Sequence, residues 1–118
     1  MQSAGRRNQK ERTEKIMKKI ETIKLVKVEN LTSPRSGKEV PNQFRIVTPD
    51  GIYFQSYKTL IVAIIKGQVY LDEKEWNCSM TTSKYRNQFL GASSAEVKKY
   101  INNGTYILTN LNSTIISE

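Results

Sequence analysis

The segment TTSKYRNQFL, residues 81–90, brings together four side chains that can bind phosphate. They are Thr82, Ser83, Lys84 and Arg86. Hydroxyl groups and cations at the start of a helix add donors to the free backbone N–H groups there, so together they suit an anionic ligand. The pattern predicts a phosphate-binding helix start, with Tyr85 between the two cations. A surface helix whose polar side is simply hydrated would explain the pattern equally well.

The segment YFQSYK, residues 53–58, places tyrosines and a lysine on a predicted strand. Tyr53 and Tyr57 fall on one face by alternation, with Lys58 and Arg45 as basic neighbours. Aromatic rings interleaved with cations on a sheet can form a platform on which nucleic-acid bases stack. Tyrosine is also a good strand former and cross-strand partner, which is the commoner explanation of such a pattern. Burial of both rings would argue against stacking.

Most of the formal charge of +8 lies in residues 1–20, which hold seven basic and two acidic residues, 7 − 2 = +5. A basic arm of this kind favours a polyanionic partner. Its candidate phosphate contacts are Arg6, Arg7, Lys10 and Arg12. Residues 10–22 also have the spacing of a helix with a narrow apolar stripe, so docking of that stripe on the rest of the chain is the alternative.

A turn-rich loop at residues 32–39 carries two more cations, Arg35 and Lys38. Pro34 pre-sets its φ angle and Gly37 tolerates a positive φ, so the segment predicts a hairpin connection. A hydrated connection is the simpler interpretation. Contact of the loop tip with a phosphate or with a partner's acidic group is the functional one.

The composition argues against catalysis. The chain has no histidine, which removes the commonest general base and the commonest metal ligand. The acidic cluster of Asp72, Glu73 and Glu75 is interrupted by Lys74 and lacks the spacing of a calcium loop, so it predicts a hydrated turn. We therefore expect a protein that is not an enzyme and uses no metal or cofactor.

The cysteine and hydropathy patterns bear on the compartment. Cys78 is the single cysteine, so no intramolecular disulfide can form and a reducing cytoplasm is expected. We predict Cys78 to be a small core residue. The longest apolar run, Leu60–Ile65, has the length of a strand, and no apolar stretch follows the N-terminal cations. A membrane-spanning helix and a secretory signal are therefore not expected.

The elements that must position these residues are short. Alternation and turn signals predict strands at 23–31, 42–48, 52–57, 69–71 and 105–109, the first with a slip in register. The apolar run 59–65 predicts a central buried strand by its β-branched residues, with the start of a buried helix as the alternative. The sequence predicts an α+β fold: a small antiparallel sheet of four to six strands packed with two short C-terminal helices. Residues 22–112 would form this single domain, residues 1–21 a basic helical or flexible arm, and residues 113–118 a loose tail.

The two helices are predicted at 83–90 and 94–102. Thr81 or Thr82 suits the N-cap of the first, and Gly91 its C-terminal stop. Tyr85 and Phe89 lie at i and i+4 and would anchor one side of that helix, leaving Lys84 and Arg86 to point outward. The second begins with a capping box between Ser93 and Glu96.

The phrases PNQF at 41–44, YFQSY at 53–57 and TTSKYRNQFLG at 81–91, followed by YILTNLN at 106–112, occur together. With them the chain resembles a family of small bacteriophage- and prophage-encoded proteins of unknown function, over roughly residues 22–112. The resemblance implies a phage-derived accessory protein of the host cell cytoplasm. It implies no activity, and the arm at residues 1–20 lies outside it.

Two kinds of binding function follow. The first is binding of nucleic acid, or of a host ribonucleoprotein, through a basic and aromatic surface. The second is anti-defence activity of the anti-CRISPR kind, in which the chain occupies the surface of a host protein such as a CRISPR nuclease. These overlap, because a basic inhibitor can engage a ribonucleoprotein through its guide RNA. A homodimer formed through an exposed sheet edge is a third, structural alternative.

Overall fold

In the computed structural model, which describes Thr13 and residues 25–113, six strands form one sheet and two helices pack on one of its faces. The elements are β1 (Lys27–Thr32), β2 (Glu39–Val47), β3 (Ile52–Ser56), β4 (Thr59–Ile65), β5 (Gln68–Asp72), α1 (Met80–Leu90), α2 (Ser94–Asn102) and β6 (Tyr106–Thr109). The predicted α+β class and both helices are confirmed. Apart from Thr13, the predicted arm at 1–21 lies outside the described residues, as does the tail beyond residue 113.

Strands β1 to β5 form an antiparallel meander, each paired with the next. Its turns are tight because their residues accept unusual backbone angles: the β4–β5 turn is Lys66-Gly67, with φ of 51° and 78°. The β2–β3 turn needs Gly51, since a Cβ there would lie 2.4 Å from the carbonyl oxygen of Ile64. The first strand has a register shift between Asn30 and Thr32, further along the chain than the slip that the sequence pattern predicts between Leu25 and Val28.

The sixth strand departs from the predicted antiparallel sheet. β6 lies beside β5 and runs parallel to it, with Val69 opposite Tyr106 and Leu71 opposite Leu108. A parallel neighbour requires a crossover, and α1 and α2 supply it. Alternation within one short strand carries no information about its direction.

The helices cover one face of the sheet and form the core with it. Phe54, Val62 and Leu71, from three successive strands, are fully buried there, together with Val97 of α2. Phe54 stacks on Phe89 of α1 with ring centroids 5.8 Å apart. Below we call this the helix face and the other side of the sheet the open face. Within residues 25–113 no helix packs on the open face.

The helix ends confirm two capping predictions and correct a third. In α2, Ser93 and Glu96 form the predicted capping box, and Gly91 ends α1 in the left-handed conformation. The N-cap of α1 is Ser79, whose Oγ accepts from the backbone N–H of Thr82 at 3.1 Å. Thr81 and Thr82 were the wrong choice, because the hydroxyl of Thr82 bonds to the sheet.

Cys78 is exposed, so the prediction that it is a core residue is wrong. It follows the turn that leaves β5, beyond the edge of the core. Within the described residues, no helix has the length and apolar character needed to cross a membrane.

Candidate functional site

The two predicted functional segments meet at one end of the sheet. Ser56, at the end of β3, and Thr82, in the first turn of α1, share a hydrogen bond between their hydroxyl oxygens at 3.1 Å. Both side chains are buried. This bond fastens the β3–β4 turn, Tyr57-Lys58, to the start of α1, so the ends of YFQSYK and TTSKYR are neighbours in space.

Connections of the meander alternate between its two ends, and β6 ends beside β5. The loop 33–38, the turn 57–58, the segment 73–79 and residues 110–113 therefore all lie at the end where α1 begins. We call this the α1 end of the sheet. The opposite end carries the turns at 49–51 and 66–67.

Three of the predicted site residues on α1 are buried and cannot contact a partner directly. Thr82 is 4% exposed and is committed to Ser56, and Tyr85 is 6% exposed and belongs to the core. Arg86, expected to point outward, is 1% exposed. The spacing of Tyr85 and Phe89 identified the buried side of α1 but missed that Arg86 enters the protein next to it.

Arg86 is held by neutral acceptors. Its guanidinium donates to the carbonyl oxygen of Trp76 at 2.6 Å, to Oδ1 of Asn77 at 3.3 Å and to Oδ1 of Asn87 at 2.8 Å. It also lies over the Trp76 ring, 5.3 Å from its centroid. Burial lowers the pKa of Arg86 from its ordinary value. The residue is a structural clamp between α1 and the segment that precedes it.

Around this buried support, several side chains remain at the surface. Lys84 is exposed and lies over the ring of Tyr85, 5.4 Å from its centroid. Tyr57 is 60% exposed, and its left-handed backbone, with φ of 56°, projects it from the turn beside exposed Lys58. Ser83 is half-buried and donates to Oδ1 of Asn77 at 3.0 Å. Tyr57, Lys58 and Lys84 are thus available to a partner.

A polar pocket of about 350 Å³ opens beside Lys58. Lys58 and Lys74 line it together with asparagines and Ser113 from the chain that follows β6. Asn112 fixes the position of the chain that follows β6. Its side-chain amide donates to the carbonyl oxygen of Leu60 and accepts from the N–H of Leu60, both at 2.8 Å. Two cations from different segments therefore face one cleft, together with the carboxylates of Asp72 and Glu75.

The carboxylate of Asp72 in the same pocket has a structural role. Its two oxygens accept from the backbone N–H groups of Leu111 at 2.8 Å and Glu75 at 2.9 Å, which pins both connecting segments to the end of β5. Burial raises the pKa of Asp72, but these and further hydrogen bonds outweigh it and hold the pKa below its ordinary value. Across the described residues, no group of three or more Cys, Asp or Glu side chains has the arrangement of a metal site.

The predicted combination of Arg45 with the tyrosines is wrong. Arg45 pairs in register with Phe54 and Tyr53 with Ile46, so Arg45 lies on the helix side and Tyr53 on the open face. Arg45 also donates to Glu29 at 2.9 Å. Tyr53 is half-buried, and its ring is separated from that of Tyr57 by the change of backbone direction at the turn.

The remaining predicted contacts are dispersed. Arg35 and Lys38 are exposed on the loop 33–38, at the same end of the sheet but beyond the 57–58 turn. Arg6, Arg7, Lys10 and Arg12 lie outside the described residues.

Sequence reasoning missed two surface residues of this site, Lys74 and Met80. Met80 is 91% exposed at the first position of α1. Lys74 was considered only as an interruption of an acidic cluster. A signal for it existed, because in a five-strand meander the end of the fifth strand lies at the same end as the turn between the third and fourth.

Comparison with known proteins gives one match. A family model described as "Family of unknown function (DUF8033)" matches residues 8–104. The match begins before residue 22, so it includes residues 8–20 of the basic arm, which the resemblance had placed outside. No curated protein and no solved structure matches the chain.

Proposed function

The chain belongs to DUF8033, a family of unknown function, and we propose from its geometry that it binds nucleic acid through the α1 end of the sheet. The nucleic acid is either free or part of a host ribonucleoprotein. The observation that carries this proposal is the Ser56–Thr82 hydrogen bond, because it joins an exposed tyrosine and lysine to the cationic start of a helix. One surface then offers both a ring for stacking and cations for phosphates.

The charges at this end support the proposal. Five exposed cations lie here: Arg35, Lys38, Lys58, Lys74 and Lys84. The carboxylates of Glu39, Glu73 and Glu75 lie at the same end, so exposed cations exceed exposed or half-exposed carboxylates by five to three. The only ion pair within the described residues, Arg45–Glu29, leaves all five cations unpaired. The first turn of α1 contains no acidic residue, so its positive dipole end adds to the field.

The roles divide by residue type. Tyr57 supplies the stacking surface, and its exposure allows a base to reach one side of the ring. Lys58 and Lys74 would receive a phosphate in the pocket that they share. Lys84 would receive the next phosphate along the strand, and the basic segment before residue 25 would add sequence-independent contacts.

Binding of fluorescent single-stranded RNA and DNA at increasing salt tests the proposal. The variant K58Q/K84Q removes two cations of the site, and K98Q/K99Q removes two exposed cations of α2 as a control of equal charge. We expect the slope of log affinity against log salt to fall by about 1.4 in K58Q/K84Q, because two phosphate contacts are lost at about 0.7 each on a single strand. K98Q/K99Q should keep the wild-type slope. Equal losses in both variants would mean that only net charge matters and would reject this site.

Tyr57 provides an independent check. Tyr57→Leu removes the ring and should weaken binding by about 1–3 kcal/mol, whereas Tyr57→Phe keeps it and should bind like the wild type. Leucine and phenylalanine at position 57 would both adopt the same left-handed backbone conformation, so any backbone strain is the same in the two variants. Equal affinities for the two variants would remove stacking from the proposal.

Direct binding of a host protein is the second candidate function. Met80, almost wholly exposed beside this surface, favours it, since flexible methionines serve as adaptable anchors at protein interfaces. In this case the chain would act as an anti-defence inhibitor of the anti-CRISPR kind. For either function we propose a phage or prophage origin and action in the host cytoplasm, supported by the resemblance of its sequence phrases and by the single cysteine.

Capture from host lysate distinguishes the two functions. The tagged chain would be incubated with lysate before and after digestion of RNA and DNA. Partners that disappear after digestion support nucleic-acid or ribonucleoprotein binding. Partners that persist, and are lost when Met80 is changed to Asp, support direct protein binding.

A further inference from the structure

The open face of the sheet carries an apolar row that crosses all six strands. The pairing registers connect its members one to the next: Val28, Ile46, Tyr53, Ala63, Tyr70 and Ile107. Directly paired residues project to the same side of a sheet, so these six side chains form one continuous line. At about 4.8 Å between strands, the row is about 24 Å long.

The rows beside it contain no lysine or arginine. Asn30, Phe44, Gln55 and Leu60 form a second line by the same registers, and Ile65 pairs with Gln68 further along. Among the paired positions of this face from β3 to β6 the one charged residue is Asp72, which pairs with Thr109 at the end of β5 and is 3% exposed. The chain as a whole carries a formal charge of +8, yet no lysine or arginine occupies these positions of the described strands.

The two ends of the row are open to solvent. Val28 is 61% exposed and Ile107 is 40% exposed, while Ala63 between the two tyrosines is 1% exposed. Next to the row, a groove of about 400 Å³ is lined by Val26, Ile46, Tyr53 and Leu60 among others. An apolar band of this length, with a groove beside it that Asp50 also lines, suits the surface of another protein better than a small molecule.

We propose that this open face is the contact surface for a second copy of the same chain. Two such sheets would pack face to face, with their side chains interdigitated as in a β-sandwich. With a mean strand length of about six residues, the face measures about 24 by 20 Å, on the order of 500 Å² per copy and 1,000 Å² in total. That area is at the lower limit for a specific interface, so the dimer should be weak and depend on concentration.

Charge selects a second copy as the occupant. Two molecules of a strongly basic protein repel each other wherever their lysines come close. On the open face they can meet without opposing any lysine or arginine at the paired positions, and the carboxylate of Asp72 there is buried. A nucleic acid is disfavoured here for the same reason, because no cation lies on the face to neutralise its phosphates. The open face and the α1 end of the sheet are therefore separate surfaces with separate partners.

Neighbouring residues of β6 provide a matched pair of variants. Ile107 and Leu108 are exposed to nearly the same extent, 40% and 39%, but they project to opposite sides of the sheet. Ile107→Lys would place a charge on the open face, and Leu108→Lys would place the same charge on the other side. Val28 lies at the far end of the row and is 61% exposed. Val28→Lys therefore tests the same face without any change in β6, so a folding defect confined to β6 cannot explain its result.

Sedimentation of the full chain from low to high micromolar concentration measures the association. We expect a monomer–dimer equilibrium whose dissociation constant rises at least tenfold in Ile107→Lys and in Val28→Lys, and stays at the wild-type value in Leu108→Lys. A full chain that is monomeric throughout would overturn the proposal. If removal of residues 1–21 then produced a dimer, the face would belong to the chain's own N-terminal segment. A dimer that persists in both open-face variants would also overturn it.

Discussion

The two helices pack on the same face of one sheet, but different side chains hold them there. α2 buries Val97 and is capped by a reciprocal Ser93–Glu96 box, as its sequence predicts. α1 buries Arg86 and Thr82 beside Tyr85 and fixes each through hydrogen bonds. The difference shows that polar residues can form the buried side of a helix when the protein supplies a hydrogen-bond partner for each of them.

The difference also bears on function. Apolar packing tolerates small rotations of a helix, whereas a guanidinium held by three acceptors restricts both its position and its direction. α1 carries Lys84 and Met80 at the α1 end of the sheet. The buried hydrogen bonds of Arg86 and Thr82 therefore fix the direction in which those two side chains project. We interpret the buried polar contacts as positioning groups for the surface above them.

Replacement of Arg86 should have the largest effect. Arg86→Met keeps much of the side-chain volume but leaves the Trp76 carbonyl and Oδ1 of Asn87 without their donor. Each of these part-buried acceptors left unpaired costs about 1–3 kcal/mol, so we expect a loss of about 3 kcal/mol in the free energy of unfolding. Urea unfolding followed by circular dichroism and by the fluorescence of Trp76, the only tryptophan, measures it.

Arg86→Lys serves as the control, because one ammonium cannot reproduce a planar fork that reaches several acceptors. It should remain well below the wild type. If Arg86→Met were as stable as the wild type, burial of the guanidinium would cost as much as its hydrogen bonds return, and the contrast between the helices would disappear.

Truncation in α2 should have a smaller effect. Val97 is completely buried, and Val97→Ala removes two methyl groups from the core. We expect a loss of about 2 kcal/mol, from lost burial and the cavity that remains. The same urea titration applies. A loss greater than that of Arg86→Met would reverse the proposed order of the two helices.

The Ser56–Thr82 bond should contribute less again. In a double-mutant cycle of Ser56→Ala and Thr82→Val, we expect a coupling energy of about 1 kcal/mol, typical of a neutral hydrogen bond. The double variant should also weaken nucleic-acid binding although neither side chain is exposed. A coupling near zero would mean that the turn and the helix are held together by their surroundings alone.

The smallest effect concerns the cap of α2. Hydrogen bonds from Ser93 hold the pKa of Glu96 below its ordinary value. A depressed pKa in the folded state stabilises the protein above the unfolded pKa, and this contribution is lost as the pH falls through the folded value. Glu96→Gln should therefore lower the melting temperature at neutral pH, and the gap from the wild type should close in acid. A gap independent of pH would assign the effect to packing.

Alternation and turn chemistry predict most of this fold. The strand alternation places Phe54 on one face and Tyr53 on the other, and the capping box of α2 was identified from spacing alone. These features depend on residues close together in the chain. The contact between the 57–58 turn and the start of α1 cannot be predicted in this way, since it depends on residues far apart in sequence.

The errors have one physical cause. The predictions for Arg86, Thr82 and Cys78 follow the usual exposure of their residue types. Arg86 and Thr82 are instead buried, and Cys78 is exposed. Arg86 is buried because the backbone of Trp76 and the side chain of Asn87 are arranged as its acceptors. The position of Arg45 relative to the tyrosines failed for a related reason, because it depends on the register between two strands.

The parallel pairing of β6 with β5 has a consequence for the order of folding. The meander from β1 to β5 is made of contacts between near neighbours in sequence, whereas β6 can pair only after the whole of residues 73–105 has closed into a loop. Local contacts form first and long closures later. We therefore expect β6 to join last and to open first, so its amide protons should exchange with solvent faster than those of β3 and β4.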